Sequence, residues 1–284
     1  MKISFADFWG GFDPSNNFLL YLFQEIVGNI SVVDNINDSD MLIYANFGSQ
    51  HLQADRSRVK KVFYTGENIR PNFNECDGSL TFDFNSYGGK NVRLPLWLMN
   101  IDWYNKGTYG NPEGLIPVDK INNNKFTGKP KTKFCCIINN HLANQRKEIF
   151  NALNSYKPVD GYGNCFANRF DGECKKYEIL SEYKFTICFE NSIHPGYHTE
   201  KLFHAKTAGC LPIYNGAKEV QQDFNPKCFL NLQNFDSTQE FVDKIIELDN
   251  NKFLYEQYVS EPLFISAPSL EKYCQEIRKL LNIL

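Results

Sequence analysis

The second half of the chain contains a run of apolar and polar segments that predicts a strand, a loop, a helix and another strand. Residues 183–216 start with an apolar strand, continue through a polar loop ending in Thr199-Glu200-Lys201, and form a short helix stopped by Gly209 before a second apolar strand. This order is typical of a parallel sheet, in which ligands lie beyond the carboxyl ends of the strands. The charged end of the loop is therefore a candidate ligand site.

Apolar patterns in the first half predict strands at 2–9, 41–47 and 59–64 and a helix at 18–27. The third strand runs directly into Thr65-Gly66-Glu67-Asn68. We therefore expect the Glu67 carboxylate at the carboxyl end of a strand.

The segment 106–133 is rich in Gly, Asn, Pro and Lys and has little apolar periodicity, which is typical of a connection between domains. A strand at 134–138 and a helix at 145–156 begin a new α/β half, and further helices are predicted at 238–248 and 270–283. We therefore predict an α/β protein with two Rossmann-like domains, at residues 1–128 and 129–284.

Composition narrows the class of protein. With 284 residues, a net charge of −3 and 42% hydrophobic residues, the chain is of globular type and has no overall attraction to nucleic acid. Its longest N-terminal apolar run, 18–23, is much shorter than the roughly 20 residues that span a membrane. Nine scattered cysteines, an odd number, favour a reduced, cytoplasmic protein.

Two cations in the second half lie near predicted helix starts: Arg146 after Asn144, and Lys201 after Thr199. Asn and Thr are good N-cap residues, and helix N-termini favour anions. A Lys in the first turn opposes the helix dipole, so a bound phosphate would explain it. Two such sites suit a pyrophosphate, whereas either cation alone is equally well interpreted as a solvated surface charge.

Three further side chains flank this loop. Glu190 and Glu200 are candidates for hydrogen bonds to ribose hydroxyls, with a core-edge carboxylate and ordinary helix capping as the respective alternatives. Tyr197 is a candidate for contact with the ligand, although packing is the simpler interpretation.

Two metal-like patterns do not predict a metal site. His194, His198 and His204 have suggestive spacing, but Pro195-Gly196 prevents a shared helical face for the first two. The pattern Asp38-Ser39-Asp40 is better explained by a turn before the 41–47 strand.

Several motifs resemble those of the α-1,3-fucosyltransferases, especially bacterial members. In the first half they are Phe63-Tyr-Thr-Gly-Glu-Asn68 and Pro71-Asn-Phe73. In the second they are Tyr183-Lys-Phe185, Phe189-Glu-Asn191, Tyr197, Thr199-Glu-Lys201, Leu211-Pro-Ile-Tyr-Asn-Gly216 and Asp223-Phe-Asn-Pro226. Their order and spacing hold from about residue 59 to 230.

The resemblance implies a GT-B fold of two facing Rossmann-like domains, with GDP-β-L-fucose on the carboxyl-terminal domain and the acceptor on the other. It implies inversion at fucose C1, with Glu67 as general base and Arg146 and Lys201 neutralising the diphosphate. Asn191, Tyr197 and Glu200 match donor-site positions. No divalent metal is expected to be essential. The resemblance also allows the last helix to cross back to the first domain.

The expected reaction is α-1,3 transfer of fucose to an N-acetylglucosamine-containing glycan. The alternatives are a GT-B transferase using another GDP- or UDP-sugar, and a non-catalytic nucleotide- or glycan-binding protein. The sequence leaves open the acceptor, with Trp9, Trp97 and Trp103 as candidates for stacking on sugars, and also peripheral membrane contact and oligomeric state.

Overall fold

The computed structural model describes residues 1–110, 115–123, 126, 130–140, 142, 144–166 and 174–283. These residues form two compact units: residues 1–117 with 268–284, and residues 118–267. The described strands are β1 Lys2–Ala6, β2 Ser31–Val32, β3 Met41–Tyr44, β4 Lys60–Tyr64, β5 Gly78–Thr81, β6 Asn91–Arg93, β7 Ile101–Asp102, β8 Ile116–Pro117, β9 Lys133–Ile138, β10 Val159–Tyr162, β11 Tyr183–Ile187, β12 Leu211–Tyr214 and β13 Leu230–Asn231.

The described α-helices are α1 Phe18–Val27, α2 Val118–Asn123, α3 Asn144–Tyr156, α4 Cys174–Ser181, α5 Glu200–Thr207, α6 Thr238–Asn250, α7 Lys252–Ser260 and α8 Glu271–Ile283. Short 3₁₀ turns occur at Ile36–Asp38, Gln50–Gln53, Leu96–Asn100, Lys218–Gln222, Pro226–Cys228 and Leu232–Asn234.

The first unit contains a parallel sheet with the strand order β2-β1-β3-β4-β5-β6. β3 is buried along its whole length and β4 from its second residue, as expected for strands covered on both faces. Asp7 follows β1 with a left-handed φ of 59°. Its carboxylate accepts hydrogen bonds from the backbone N–H groups of Gln50 and His51, so the loops after β1 and β3 are joined at the carboxyl edge of the sheet.

The last helix belongs to the first unit. α8 packs against α1 and β6, and Leu280 approaches β5 so closely that a Cβ on Gly78 would lie 3.0 Å from its Cδ1. The predicted second domain, 129–284, is corrected accordingly: residues 268–284 pack on the first unit, and the second unit begins at Val118. The predicted junction at 128/129 lies outside the described residues.

The second unit contains a parallel sheet with the order β10-β9-β11-β12-β13. Its core joins β9, β11 and β12 to helices α3 and α6 through Ile137, Phe185, Ile213, Leu153 and Phe241, all 0% exposed. The α/β prediction with parallel sheets in both halves is confirmed. Because β9, β11 and β12 are parallel neighbours, the loops that follow them emerge at one edge.

Candidate functional site

The loop between β11 and α5 is organised by a buried carboxylate. Glu190 Oε1 accepts hydrogen bonds from the Thr199 backbone N–H at 2.8 Å and the Tyr214 hydroxyl at 3.3 Å. Its Oε2 accepts one from the Thr199 hydroxyl at 2.7 Å. The Glu190 side chain is 0% exposed. These contacts give Glu190 the core-edge role that the sequence offered as the alternative to ribose binding.

Lys201 has a partner that its sequence neighbourhood does not reveal. Its Nζ lies 3.3 Å from Glu190 Oε2 and 3.0 Å from the Thr199 hydroxyl. Burial alone would lower the pKa of Lys201, but the carboxylates of Glu190 and Glu200 outweigh it and raise that pKa. The ion pair explains a cation in the first turn without any ligand. An ammonium group has three donors, and the described residues supply acceptors for two of them, so a third N–H is available to a ligand.

Thr199 occupies the N-cap position of α5, as predicted, but makes no side-chain capping bond. Its hydroxyl is engaged by Glu190 and Lys201 instead. The Thr199 side chain therefore accepts no hydrogen bond from the N–H groups of the first turn, as an N-cap side chain normally does. This leaves the helix start suited to an external anion.

Glu200 lies between two lysines. Lys176 Nζ is 3.8 Å from its Oε1, and the Glu200 side chain is 20% exposed. Burial would raise the pKa of Glu200, but Lys201 and Lys176 outweigh this effect and lower it to about 2. Glu200 is therefore an ionised acceptor at neutral pH.

Arg146 is a buried side chain in the first turn of α3, at 3% exposure. Its Nη2 donates to the Phe189 carbonyl at 2.7 Å and to Asn191 Oδ1 at 2.8 Å. Burial lowers the pKa of Arg146, and the nearby Glu190 carboxylate opposes that effect. The guanidinium therefore joins the start of α3 to the loop after β11.

The structure brings the predicted residues of the second half together. Asn191 contacts Arg146 directly, and Glu190 and Glu200 flank Lys201. Tyr197 is buried and lies close enough to Arg146 to affect its pKa. The predicted cap Asn144 lies outside the described side chains. Arg146 and Lys201 thus approach one loop from two helix starts.

Two of the three histidines, His198 and His204, contact side chains of the protein. His198 Nδ1 is 2.7 Å from Asp223 Oδ2, and the His198 side chain is 0% exposed. Buried His204 lies on α5 beside Tyr177.

In the first unit, Asp40 accepts a hydrogen bond from the Lys2 backbone and Asp38 one from the Asn35 amide. Among the described residues no cluster of three metal-ligating side chains is present.

Sequence reasoning missed two members of this region. A cavity of about 60 Å³ beside α5 is lined by Asn139 and Lys176 together with Glu200 and Lys201. Asn139 follows β9, so its place at the carboxyl end of a strand was a usable signal. Lys176 gave none, because its approach to Glu200 depends on how α4 packs.

Glu67 lies in the first unit, three residues after β4 ends, with an exposed side chain. Its backbone N–H donates to the Thr65 hydroxyl at 3.0 Å, and that hydroxyl donates to Asn46 Oδ1 at 2.8 Å. The loops after β3 and β4 are thereby joined. The predicted position of Glu67 at a strand end is confirmed.

Aromatic side chains surround the same edge of the first sheet. Phe8 stacks on Phe12 at 3.9 Å, and Trp9 contacts Phe12 and Phe47 edge-on at 5.4 and 6.3 Å. Phe47 directly follows Asn46 and is 54% exposed. By contrast, Trp97 is buried, and Trp103 donates its indole N–H to the Leu98 carbonyl. Trp9, which is half-buried, is thus the tryptophan among the three candidates that lies in this cluster.

No described helix is long and apolar enough to cross a membrane.

Two family models match the chain. The model for the N-terminal domain of the α-(1,3)-fucosyltransferase FucT matches residues 3–100, and the C-terminal model of glycosyltransferase family 10 (fucosyltransferase) matches residues 126–262. Glu67 lies within the first matched range, and Arg146 and Lys201 lie within the second.

Curated relatives and solved structures agree with these matches. The α-(1,3)-fucosyltransferase FucT of Helicobacter pylori is 32% identical over 281 residues, covering 90% of this chain but 58% of the relative's length. A crystal structure of α1,3-fucosyltransferase superposes with a TM-score of 0.76 at 28% identity, and one with GDP-fucose with 0.73 at 26%. Each superposition covers 99% of this chain and 90% of the chain in the crystal structure.

Proposed function

The chain belongs to the family 10 fucosyltransferases, and from that membership we propose that it transfers L-fucose from GDP-β-L-fucose to a glycan. The proposed acceptor atom is O3 of an N-acetylglucosamine unit, and the transfer inverts the configuration at fucose C1. The observation that carries the proposal is the pairing of Arg146 and Lys201 at two helix starts beside one loop. The chain spans 58% of the length of the Helicobacter pylori relative. The activity is therefore proposed from the residues of this chain and not from the relative as a whole.

The second unit is proposed to hold the diphosphate of the donor. Lys201 has a third N–H donor that meets no acceptor within the described part of the chain, and the α5 start adds backbone N–H groups with a partial positive charge. Glu190 fixes Lys201 and Thr199, so it acts as a positioning residue. Glu200 stays ionised and is proposed to accept hydrogen bonds from the ribose, as Tyr197 and Asn191 are proposed to contact the donor.

Glu67 is proposed as the general base. In a single displacement, the acceptor O3 forms a bond to fucose C1 while the bond from C1 to the GDP oxygen breaks, and Glu67 takes the proton from O3. A positioned carboxylate contributes about 10²–10⁴-fold to such a step. The charge that develops on GDP is stabilised by Arg146 and Lys201, as preorganised cations stabilise a leaving group.

Because two cations and a helix start are available, we propose that transfer does not require a divalent metal. For the acceptor, we propose contact with half-buried Trp9 and exposed Phe47, since accessible aromatic rings suit the apolar faces of sugars. Their loops are joined to Glu67 through Asn46 and Thr65.

The experiment that tests the function is a donor panel with mass spectrometric detection. GDP-fucose, GDP-mannose and UDP-sugars are each incubated with type 1 and type 2 disaccharides and with N-acetylglucosamine. We expect a mass increase of one fucose with GDP-fucose. Transfer from a different nucleotide sugar, with none from GDP-fucose, would refute the proposed donor.

A matched pair of measurements separates an enzyme from a binding protein. Glu67→Gln should lose about 10²–10⁴-fold in transfer rate while binding GDP with unchanged affinity in calorimetry. A protein that binds GDP but transfers no sugar, before and after the substitution, would instead be a non-catalytic member of the family.

A further inference from the structure

A larger cavity of the second unit lies along the edge strand β13. Its volume is about 560 Å³, within the roughly 300–1,000 Å³ typical of small-molecule sites. None of the donor-site residues proposed above lines it. Its walls come from β13, from the residues on either side of β13, and from the C-terminal end of α7; they include Phe229, Asn231, Phe235, Gln257, Tyr258 and Glu261.

One polar side chain in this cavity has unused hydrogen-bonding capacity. Asn231 is 3% exposed. Its Oδ1 accepts a hydrogen bond from the Gln233 backbone N–H at 3.2 Å, which fixes the orientation of the carboxamide. Within the described residues, its Nδ2 donates no hydrogen bond, and that atom is not among the polar atoms sealed from solvent. A nearly buried amide donor that remains open to the cavity is available to a ligand oxygen.

The aromatic walls are held in place by packing. Phe229 contacts Tyr214 edge-on at 5.7 Å, and Phe235 contacts Phe241 at 5.0 Å. These rings are therefore positioned before any ligand arrives.

The α7 wall is held by a buried lysine. Lys206, 1% exposed, donates from Nζ to the Val259 carbonyl at 2.6 Å and to the Tyr258 carbonyl at 3.5 Å. A cation at the C-terminal end of a helix is favourable for the helix dipole. Tyr258 therefore projects from a fixed backbone, and a rigid site loses less free energy on binding.

The chemistry of the cavity is neutral overall. Lys227 and Glu261 contribute one charge of each sign, and Glu261 is already engaged by the Asn225 amide at 3.2 Å. A phosphate ligand would need a surplus of cations, which these residues do not supply. Aromatic rings with amide and hydroxyl groups match a pyranose, which has one apolar face and a rim of hydroxyls.

We propose that this cavity is a second saccharide-binding site, separate from donor and acceptor sites, that takes an uncharged hexopyranose unit of a glycan. In it, Asn231 Nδ2 donates to a sugar oxygen and Tyr258 and Phe235 contact the ring. The inference concerns binding alone, so it does not rest on the proposed transfer activity.

The test is a nitrogen-labelled NMR titration of the whole chain with N-acetyllactosamine. The side-chain amide signals of Asn231 are assigned by their loss in Asn231→Asp, which keeps the oxygen that caps Gln233. In both the wild type and Glu67→Gln, these signals should shift saturably with sugar. Using Glu67→Gln separates this site from the transfer reaction.

The backbone amide of Tyr258 then measures affinity in each variant. Asn231→Asp should weaken binding about 3- to 10-fold, the usual value of one net hydrogen bond, and Tyr258→Phe gives a second variant of the same wall. Asn251 is an exposed cap of α7 whose side chain accepts from the Leu254 N–H. Asn251→Asp therefore controls for the added charge, and this variant should bind the sugar as the wild type does. Asn231 signals that stay unmoved by the sugar, or that respond to sodium phosphate instead, would overturn the proposal.

Discussion

Glu200 contributes a part of the stability that depends on pH, and Glu200→Gln isolates it. The carboxylate lies between Lys201 and Lys176, and these cations lower its pKa from 4.5 to about 2 despite its burial. Glutamine has nearly the same shape but carries no charge. The substitution therefore removes the attraction while keeping the packing of the first turn of α5.

The magnitude follows from the pKa. A shift from 4.5 to about 2, at about 1.4 kcal/mol per unit, sets an upper value of about 3 kcal/mol at pH 7. Since the side chain is 20% exposed, solvent screening reduces this to about 2–3 kcal/mol. The folded-state pKa is lower than the unfolded one, so this stability is fully present above pH 4.5 and is lost as the pH falls toward 2. At pH 3, less than about half of it remains.

The assay is equilibrium urea unfolding of wild type and Glu200→Gln at pH 7, 5, 4 and 3. The difference in free energy of unfolding between them should shrink steadily below about pH 4.5. Glu178→Gln, at an exposed position on α4, is the matched control and should show little difference at any pH. A Glu200→Gln difference that stays constant from pH 7 to pH 3 would refute the assigned charge interactions.

Three further predictions follow from the contacts. Thr65→Val removes the hydroxyl that fixes the Glu67 backbone, so kcat for fucose transfer should fall about 10-fold with unchanged GDP affinity. Thr65→Ser keeps the hydroxyl and should retain the wild-type kcat. Equal loss of kcat in both variants would contradict a positioning role. Arg146→Lys cannot reproduce the contacts to the Phe189 carbonyl and Asn191. The free energy of unfolding should therefore fall by about 2–4 kcal/mol, seen in calorimetry as a lower melting temperature, and GDP should bind at least about 10-fold more weakly. Incubation with EDTA should leave the transfer rate unchanged, and a loss restored by Mg²⁺ or Mn²⁺ would show that the two cations do not suffice.

The sequence predicts those site residues whose place depends on local pattern. Glu67 follows a buried parallel strand, and Lys201 begins a helix after another, so strand and helix periodicity alone put them at a sheet edge. Glu190 differs. Its partners Thr199 and Tyr214 come from two other elements. Its role as the acceptor that holds the loop together therefore depends on the pairing of β11 with β12, which the local sequence does not show.

Element assignments fail for a related reason. Helix α1 at Phe18–Val27 is predicted to the residue, whereas β2 and β10 are two and four residues long and owe their existence to pairing with β1 and β9. The apolar face of α8 predicts packing but contains no information on which unit receives it; the close approach of Leu280 to Gly78 decides that.

The Glu190 ion pair changes how the cation in the first turn of α5 should be interpreted. A lysine there opposes the helix dipole by about 0.3–1 kcal/mol. The Glu190 and Glu200 carboxylates nevertheless stabilise its charge, since they raise the pKa of Lys201 despite burial. The position of Lys201 is therefore no evidence for phosphate on its own. Its remaining N–H donor, together with Arg146 and the α5 start without a side-chain cap, is the stronger argument, since a purely structural ion pair needs none of these. Donor binding by the second unit consequently depends on the three features acting together, and removing Arg146 should weaken GDP binding even though Lys201 and Glu190 stay paired.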